Sequence, residues 1–155
     1  SGVPTTLLLT SLFWAKFINF GAGPQRGPDG RLVLALPLAD APLPGIAAED
    51  IGRCALGLFK AGARYRGRRV GIASEHLTGA QMAGKLAHAL GEPVDYQAVP
   101  PAVYRSLGFP GAEDLGNMYQ FNAEFSEAFC AARPVSLARE LNPGLQTLDQ
   151  WLVAN

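Results

Sequence analysis

The residues of this chain that could do chemistry are its tyrosines, two histidines, two cysteines and one glycine-rich loop. A phenol transfers a proton near neutral pH when a neighbouring cation lowers its pKa, as a Tyr-x-x-x-Lys spacing allows. None of Tyr65, Tyr96, Tyr104 or Tyr119 has a lysine four residues on, and Tyr65 comes nearest, with Arg69. The stretch Gly21-Ala22-Gly23-Pro24-Gln25-Arg26-Gly27 resembles a phosphate loop only at first sight. A G-x-G-x-x-G loop leaves a strand and opens a helix, so that free N–H groups meet a pyrophosphate. Here the last spacing is one residue too long, a predicted helix precedes it, and Pro24 has no N–H to give. His76 and His88 stand twelve residues apart with no cysteine near them, which matches no local metal-ligand pattern. No serine sits in G-x-S-x-G. The residues by themselves therefore assign no catalytic group and no metal.

Composition narrows the partners. The chain has 155 residues, nearly half of them apolar, and a formal net charge of zero. That suits one domain with a sizeable core and gives no footprint for nucleic acid or an anionic membrane. Arg64, Arg66, Arg68 and Arg69 crowd one segment, read as a solvated loop entering a strand. Cys54 and Cys130 lie far apart, fitting free thiols in a reducing cytoplasm.

The elements that must position these residues alternate between strand and helix, an α/β pattern. Val3–Thr10 reads as a strand buried on both faces, as in a parallel sheet. Ser11 is expected to cap a helix carrying Leu12, Phe13, Trp14, Phe17, Ile18 and Phe20. A loop over 21–30 ends in the turn Pro28-Asp29-Gly30, followed by a strand Leu32–Leu36, a helix Ala47–Lys60 and a strand Val70–Ala73. Thr78 with Gln81 forms a capping box for a helix ending at Gly91, and Val94–Val99 is a strand. A short helix from Pro101 ends at Gly108, one longer helix spans Gly111–Phe129, and Thr147 with Gln150 caps the last. On the longer helix Leu115, Met118 and Phe121 form an apolar stripe.

Two stretches carry a resemblance. Leu107-Gly-Phe-Pro-Gly-Ala-Glu-Asp-Leu-Gly-Asn-Met-Tyr-Gln-Phe121 and Leu141-Asn-Pro-Gly-Leu-Gln-Thr-Leu-Asp-Gln-Trp-Leu152 are similar to the C-terminal part of NmrA-like proteins, in particular the HSCARG-type branch. These are atypical short-chain dehydrogenase/reductase relatives that bind NADP(H). Asp50-Ile51-Gly52 matches a further family signature, with a structural role in starting a helix. The resemblance implies the C-terminal part of a Rossmann-type fold with a small α+β substrate or partner lobe, residues 1–155 forming a single portion without the nucleotide-binding half. By resemblance, Thr10, Ser11, Leu12 and Phe13 form the turn beside a nicotinamide held by that other half. Trp14, Phe17, Phe109, Asn117, Met118 and Phe121 would face a substrate or partner cleft.

Two functions follow from the resemblance. One is the partner-binding lobe of an NADP(H)-responsive regulator; relatives bind proteins such as argininosuccinate synthase or a GATA-type transcription factor. The other is the substrate lobe of an NAD(P)H-dependent reductase of quinones or carbonyl-like molecules. The chain alone is expected to bind no dinucleotide, and to self-associate through the strand Thr5–Leu9 or the apolar helix face beside it.

Overall fold

In the computed structural model, which describes residues 2–19 and 21–155, apolar runs become short strands and amphipathic runs become helices around two cores. Phe20, expected on the first apolar helix, lies outside the described residues. The first strand, β1 (Leu7–Leu9), pairs in parallel with β6 (Arg69–Gly71), register Leu8 to Val70. It is not buried on both faces: Leu7 is half exposed, and Leu8 and Leu9 are partly covered. Among the described residues its other edge pairs with nothing.

The chain then departs from the expected helix. Leu12–Phe13 is a second strand, β2, parallel to β5 (Leu43–Ile46), which pairs antiparallel with β7 (Glu75–Leu77). Only Lys16–Asn19 is helical (α1), and Ser11 caps nothing, its hydroxyl being buried without a partner. The physical reason is local. Trp14 N–H donates to Ile46 O (3.2 Å), so the backbone is spent on the sheet until Trp14 has passed β5. Gly45 makes the approach possible, because a Cβ there would stand 2.4 Å from Trp14 Nε1.

A separate three-stranded sheet holds β3 (Gln25–Arg26), β4 (Leu32–Leu36) and β8 (Val94–Ala98). β3 and β4 form a hairpin across the expected Pro28-Asp29-Gly30 turn, closed by Gly27 N–H to Arg31 O (2.8 Å). β4 alternates: Leu32, Leu34 and Leu36 enter the core, while Val33 and Ala35 face the other way. β8 runs parallel to β4, and the long crossover between them carries β5, α2 (Ala48–Lys60), β6, β7 and α3 (Gly79–Leu90).

α3 has the predicted capping box: Gln81 N–H donates to Thr78 Oγ1 (3.2 Å) and Thr78 N–H to Gln81 Oε1 (2.9 Å). Gly91 ends it at φ 71°. α4 (Pro101–Arg105) packs on α5 (Ala112–Glu124), where Gly116 leaves room for the Arg105 side chain. The expected single helix 111–129 breaks at Phe125 into α5 and α6 (Ser126–Ala131). Ser126 Oγ donates to Pro42 O (2.8 Å), which turns α6 onto β5. α7 (Val135–Leu141), not anticipated, covers α2, and α8 (Leu148–Ala154) carries the second capping box and packs on α3.

The Asp50 signature does more than start α2. Its fully buried carboxylate accepts Asn142 Nδ2 (2.9 Å), Gln146 N–H (2.9 Å) and Arg53 Nη1 (2.8 Å), tying α2 to the segment between α7 and α8.

Candidate functional site

Two hollows flank α1. The smaller, about 210 Å³, opens at the turn from β1 to β2, where Thr10, Ser11, Leu12 and Phe13 form one wall. Arg133 fixes that turn by donating from Nε to Thr10 O (2.8 Å), while its guanidinium lies 3.6 Å over the Phe129 ring. Opposite stand Met118 and Asn122 of α5, with Leu43 and Phe129 beneath. Asn122 is buried, and among the described residues its side chain makes no hydrogen bond. The four residues expected beside a nicotinamide thus lie together, at the carboxyl end of a parallel strand.

The larger hollow, about 1040 Å³, lies between the β3–β4–β8 sheet and the α4–α5 pair. Val33 and Ala35 of β4, with Gln97 of β8, form its sheet wall. Leu107, Phe109 and Leu115 form the apolar wall opposite, and the rings of Tyr104 and Tyr119 close its depth. Those rings meet edge to face, centroids 5.7 Å apart, and Phe109 meets Tyr104 in the same manner at 5.7 Å. Burial pushes both phenols' pKa values up, Tyr119 further because it is the more deeply buried, with Tyr104 beside it adding to the shift, so both are neutral at physiological pH. Lys16 lines both hollows and has no carboxylate partner among the described residues. The Gly21–Gly27 loop forms the rim, with Gly27 N–H and Ala22 N–H committed to Arg31 O and Lys16 O.

The remaining expected cleft residues divide. Met118 lines the small hollow and Phe109 the large one. Trp14 is fully buried against Trp151 (centroids 6.4 Å), and Phe17 is buried in the same core; neither lines either of these two hollows. Asn117 and Phe121 sit on the outer side of α5, where Asn117 accepts from Arg105 Nη1 (3.2 Å) and Phe121 stacks on Phe125 (4.9 Å). The apolar stripe Leu115–Met118–Phe121 is therefore not the buried side. That side runs Ala112, Gly116, Tyr119, Asn122, a steady helical period disguised by a glycine and two polar residues. Tyr104, Tyr119, Asn122 and Lys16 were not singled out from sequence as site residues; counting tyrosine and asparagine as inward-facing would have found the two on α5.

Among the described residues no three His, Cys, Asp or Glu gather as a metal site would require, and no helix is long and apolar enough to cross a membrane. Neither cysteine is activated: burial raises Cys54 to about 11, and it raises Cys130 as well.

Comparison with solved structures places this architecture. NmrA, a negative transcriptional regulator in complex with NAD, superposes with TM-score 0.76 at 24% identity, over 98% of this chain and 52% of that one. The Citrobacter sp. triphenylmethane reductase complexed with NADP(H) superposes with TM-score 0.76 at 16% identity, over 98% and 53%. An NADPH-dependent quinone oxidoreductase from Escherichia coli gives 0.63 at 20%, over 79% and 46%. The fold is thus the α/β arrangement of Rossmann-type NmrA-like proteins, and the chain spans about half the length of the structures it matches. The model of the NmrA-like family matches residues 1–152, and the chain belongs to that family.

Proposed function

We propose that this chain is the C-terminal lobe of an NADP(H)-responsive NmrA-like regulator that acts through a protein partner. The observation that carries the reading is the turn Thr10–Phe13, which opens a hollow at the carboxyl end of the parallel pair β1–β6. In open α/β sheets, ligands settle outside the carboxyl ends of the strands. A dinucleotide bound by a preceding Rossmann half, pairing along the open edge of β1, would bring its nicotinamide to that turn. Among the described residues the chain offers no strand–glycine loop–helix unit for a pyrophosphate, so it is not expected to bind dinucleotide alone. Calorimetry tests both halves of the reading: the complete protein should bind NADPH, and the 155 residues alone should not. Micromolar NADPH binding by the isolated chain would refute the division of labour.

The larger hollow favours a second reading, the substrate lobe of an NAD(P)H-dependent reductase of quinones or carbonyl-like molecules. Val33, Ala35, Leu107, Phe109 and Leu115 give it apolar walls and Tyr104 and Tyr119 aromatic ones. Lys16, Gln25, Arg26, Asp29 and Gln97 add polar groups, so the lining suits a flat organic molecule with polar substituents. Steady NADPH oxidation by the complete protein with a quinone would decide for this reading and against a purely regulatory one.

A further inference from the structure

We propose that the smaller hollow is a site for a carboxylate carried on a small apolar body, with Lys16 as its ion-pair partner and Asn122 as its hydrogen-bond donor. The inference goes beyond the dinucleotide reading and does not depend on it. No aspartate or glutamate stands among the residues that line this hollow, whereas Lys16 does. Behind the wall lies a second cation, Arg133, whose Nε donates to Thr10 O (2.8 Å) and whose guanidinium covers the Phe129 ring. Among the described residues neither cation has a carboxylate within ion-pair distance. Burial lowers the Arg133 pKa, as expected of a guanidinium drawn from water with no counter-ion beside it. The carbonyls of Thr10 and Phe129 accept its N–H groups, but they do not cancel its charge.

Charge of one sign set against apolar walls attracts an ion of the other. Water in the hollow can meet the hydrogen-bonding needs of Asn122, but it brings no charge. Asn122 is 6% exposed and lines the hollow, and its carboxamide has no protein partner among the described residues. Its N–H groups can donate to a carboxylate oxygen while Lys16 supplies the countercharge. Ser11 Oγ, sealed at the same wall without a partner, adds a further hydroxyl to this polar side. Leu12, Phe13, Leu43, Met118 and Phe129 make the rest of the lining apolar. At about 210 Å³ the hollow is smaller than the roughly 300–1,000 Å³ of drug-sized sites, so it takes a body of about one ring.

The test uses two probes of one shape and different charge, benzoate and benzamide, titrated into the complete protein without dinucleotide. Benzoate should saturate in calorimetry at millimolar concentration or below, about ten-fold more tightly than benzamide. Lys16→Met, which keeps the apolar stem and removes the charge, should abolish that preference and leave benzamide binding unchanged. Benzoate should also shift the side-chain N–H resonances of Asn122, identified by their loss in Asn122→Leu. Equal affinity for the two probes, or no saturable binding of benzoate, would overturn the proposal without any variant. A preference that survives Lys16→Met, or benzoate binding that leaves the Asn122 resonances unmoved, would overturn it as well, since the anion would then sit elsewhere. A protein that binds benzoate in this way but not NADPH upholds the carboxylate site while refuting the NADP(H) reading.

Discussion

Removing the Asp50 carboxylate should cost more than any other single substitution on α2. In Asp50→Ala, Asn142 Nδ2 and Gln146 N–H each lose a charged acceptor at 2.9 Å, and Asn142 is itself buried. Breaking such a buried, charged network by deleting one partner costs roughly 3–5 kcal/mol. The third contact, from Arg53, contributes under about 1 kcal/mol because that guanidinium is half exposed. For a chain of this size the loss corresponds to a fall in Tm of about 10 °C or more. Asp50→Asn keeps the shape and one acceptor oxygen, so it should cost about half as much. Urea unfolding followed by fluorescence measures both variants. A cost below about 1 kcal/mol for Asp50→Ala would refute the view that this carboxylate binds α2 to the α7–α8 segment.

Gly71→Ala should destabilise the fold by about 1–3 kcal/mol in the same assay, because its Cβ would lie within contact distance of the Ala132 carbonyl, a backbone atom that cannot swing aside. Gly52→Ala should do the opposite, stabilising α2 by roughly 0.5–1 kcal/mol, since nothing lies within 4 Å of the added methyl. Thr78→Ala and Thr147→Ala each remove a capping-box hydroxyl and should cost about 1 kcal/mol by thermal melting. Cys54 has a thiol raised from 9.0 to about 11 in the folded state, so the folded chain holds its proton where the unfolded chain has lost it. Stability should therefore fall as pH rises from about 9 to about 11, and in Cys54→Ala that part of the pH dependence should vanish. A thiol reagent at pH 8 should label Cys130 in the folded chain and reach Cys54 only on unfolding.

Elements whose signals are local were legible in the sequence. Both capping boxes, the left-handed Gly91, the 28–30 turn and the alternation in Leu32–Leu36 each rest on residues within a few positions of one another. Elements defined by distant partners were not. β5 contains Pro44 and Gly45, which argue against a strand, and Gly45 is there to admit Trp14 from thirty-one residues upstream. β7 begins with Glu75 and His76, whose polarity serves Leu148 N–H (2.6 Å) and Arg133 O (2.8 Å). Leu12 and Phe13 read as helix because a short apolar run carries no period of its own. The turn 10–13, which the resemblance puts beside a cofactor, lines a hollow, whereas Trp14 and Phe17 pack inward. Tyr104 and Tyr119 match no proton-transfer spacing, and their place at the larger hollow depends on the packing of α4 on α5, which no local pattern announces.

The packing of Trp14 against Trp151 has a spectroscopic consequence. They are the chain's only tryptophans, one just after β2 and the other on α8, and both are buried. Their emission should be blue-shifted in the folded chain, and two indoles 6.4 Å apart at an interplanar angle of 52° should couple in the near-ultraviolet circular dichroism. Release of α8 would separate the chromophores and abolish that coupling even if every other element stayed in place. The protein thus carries an intrinsic optical gauge of whether its last helix is docked on its first strands, readable without any label.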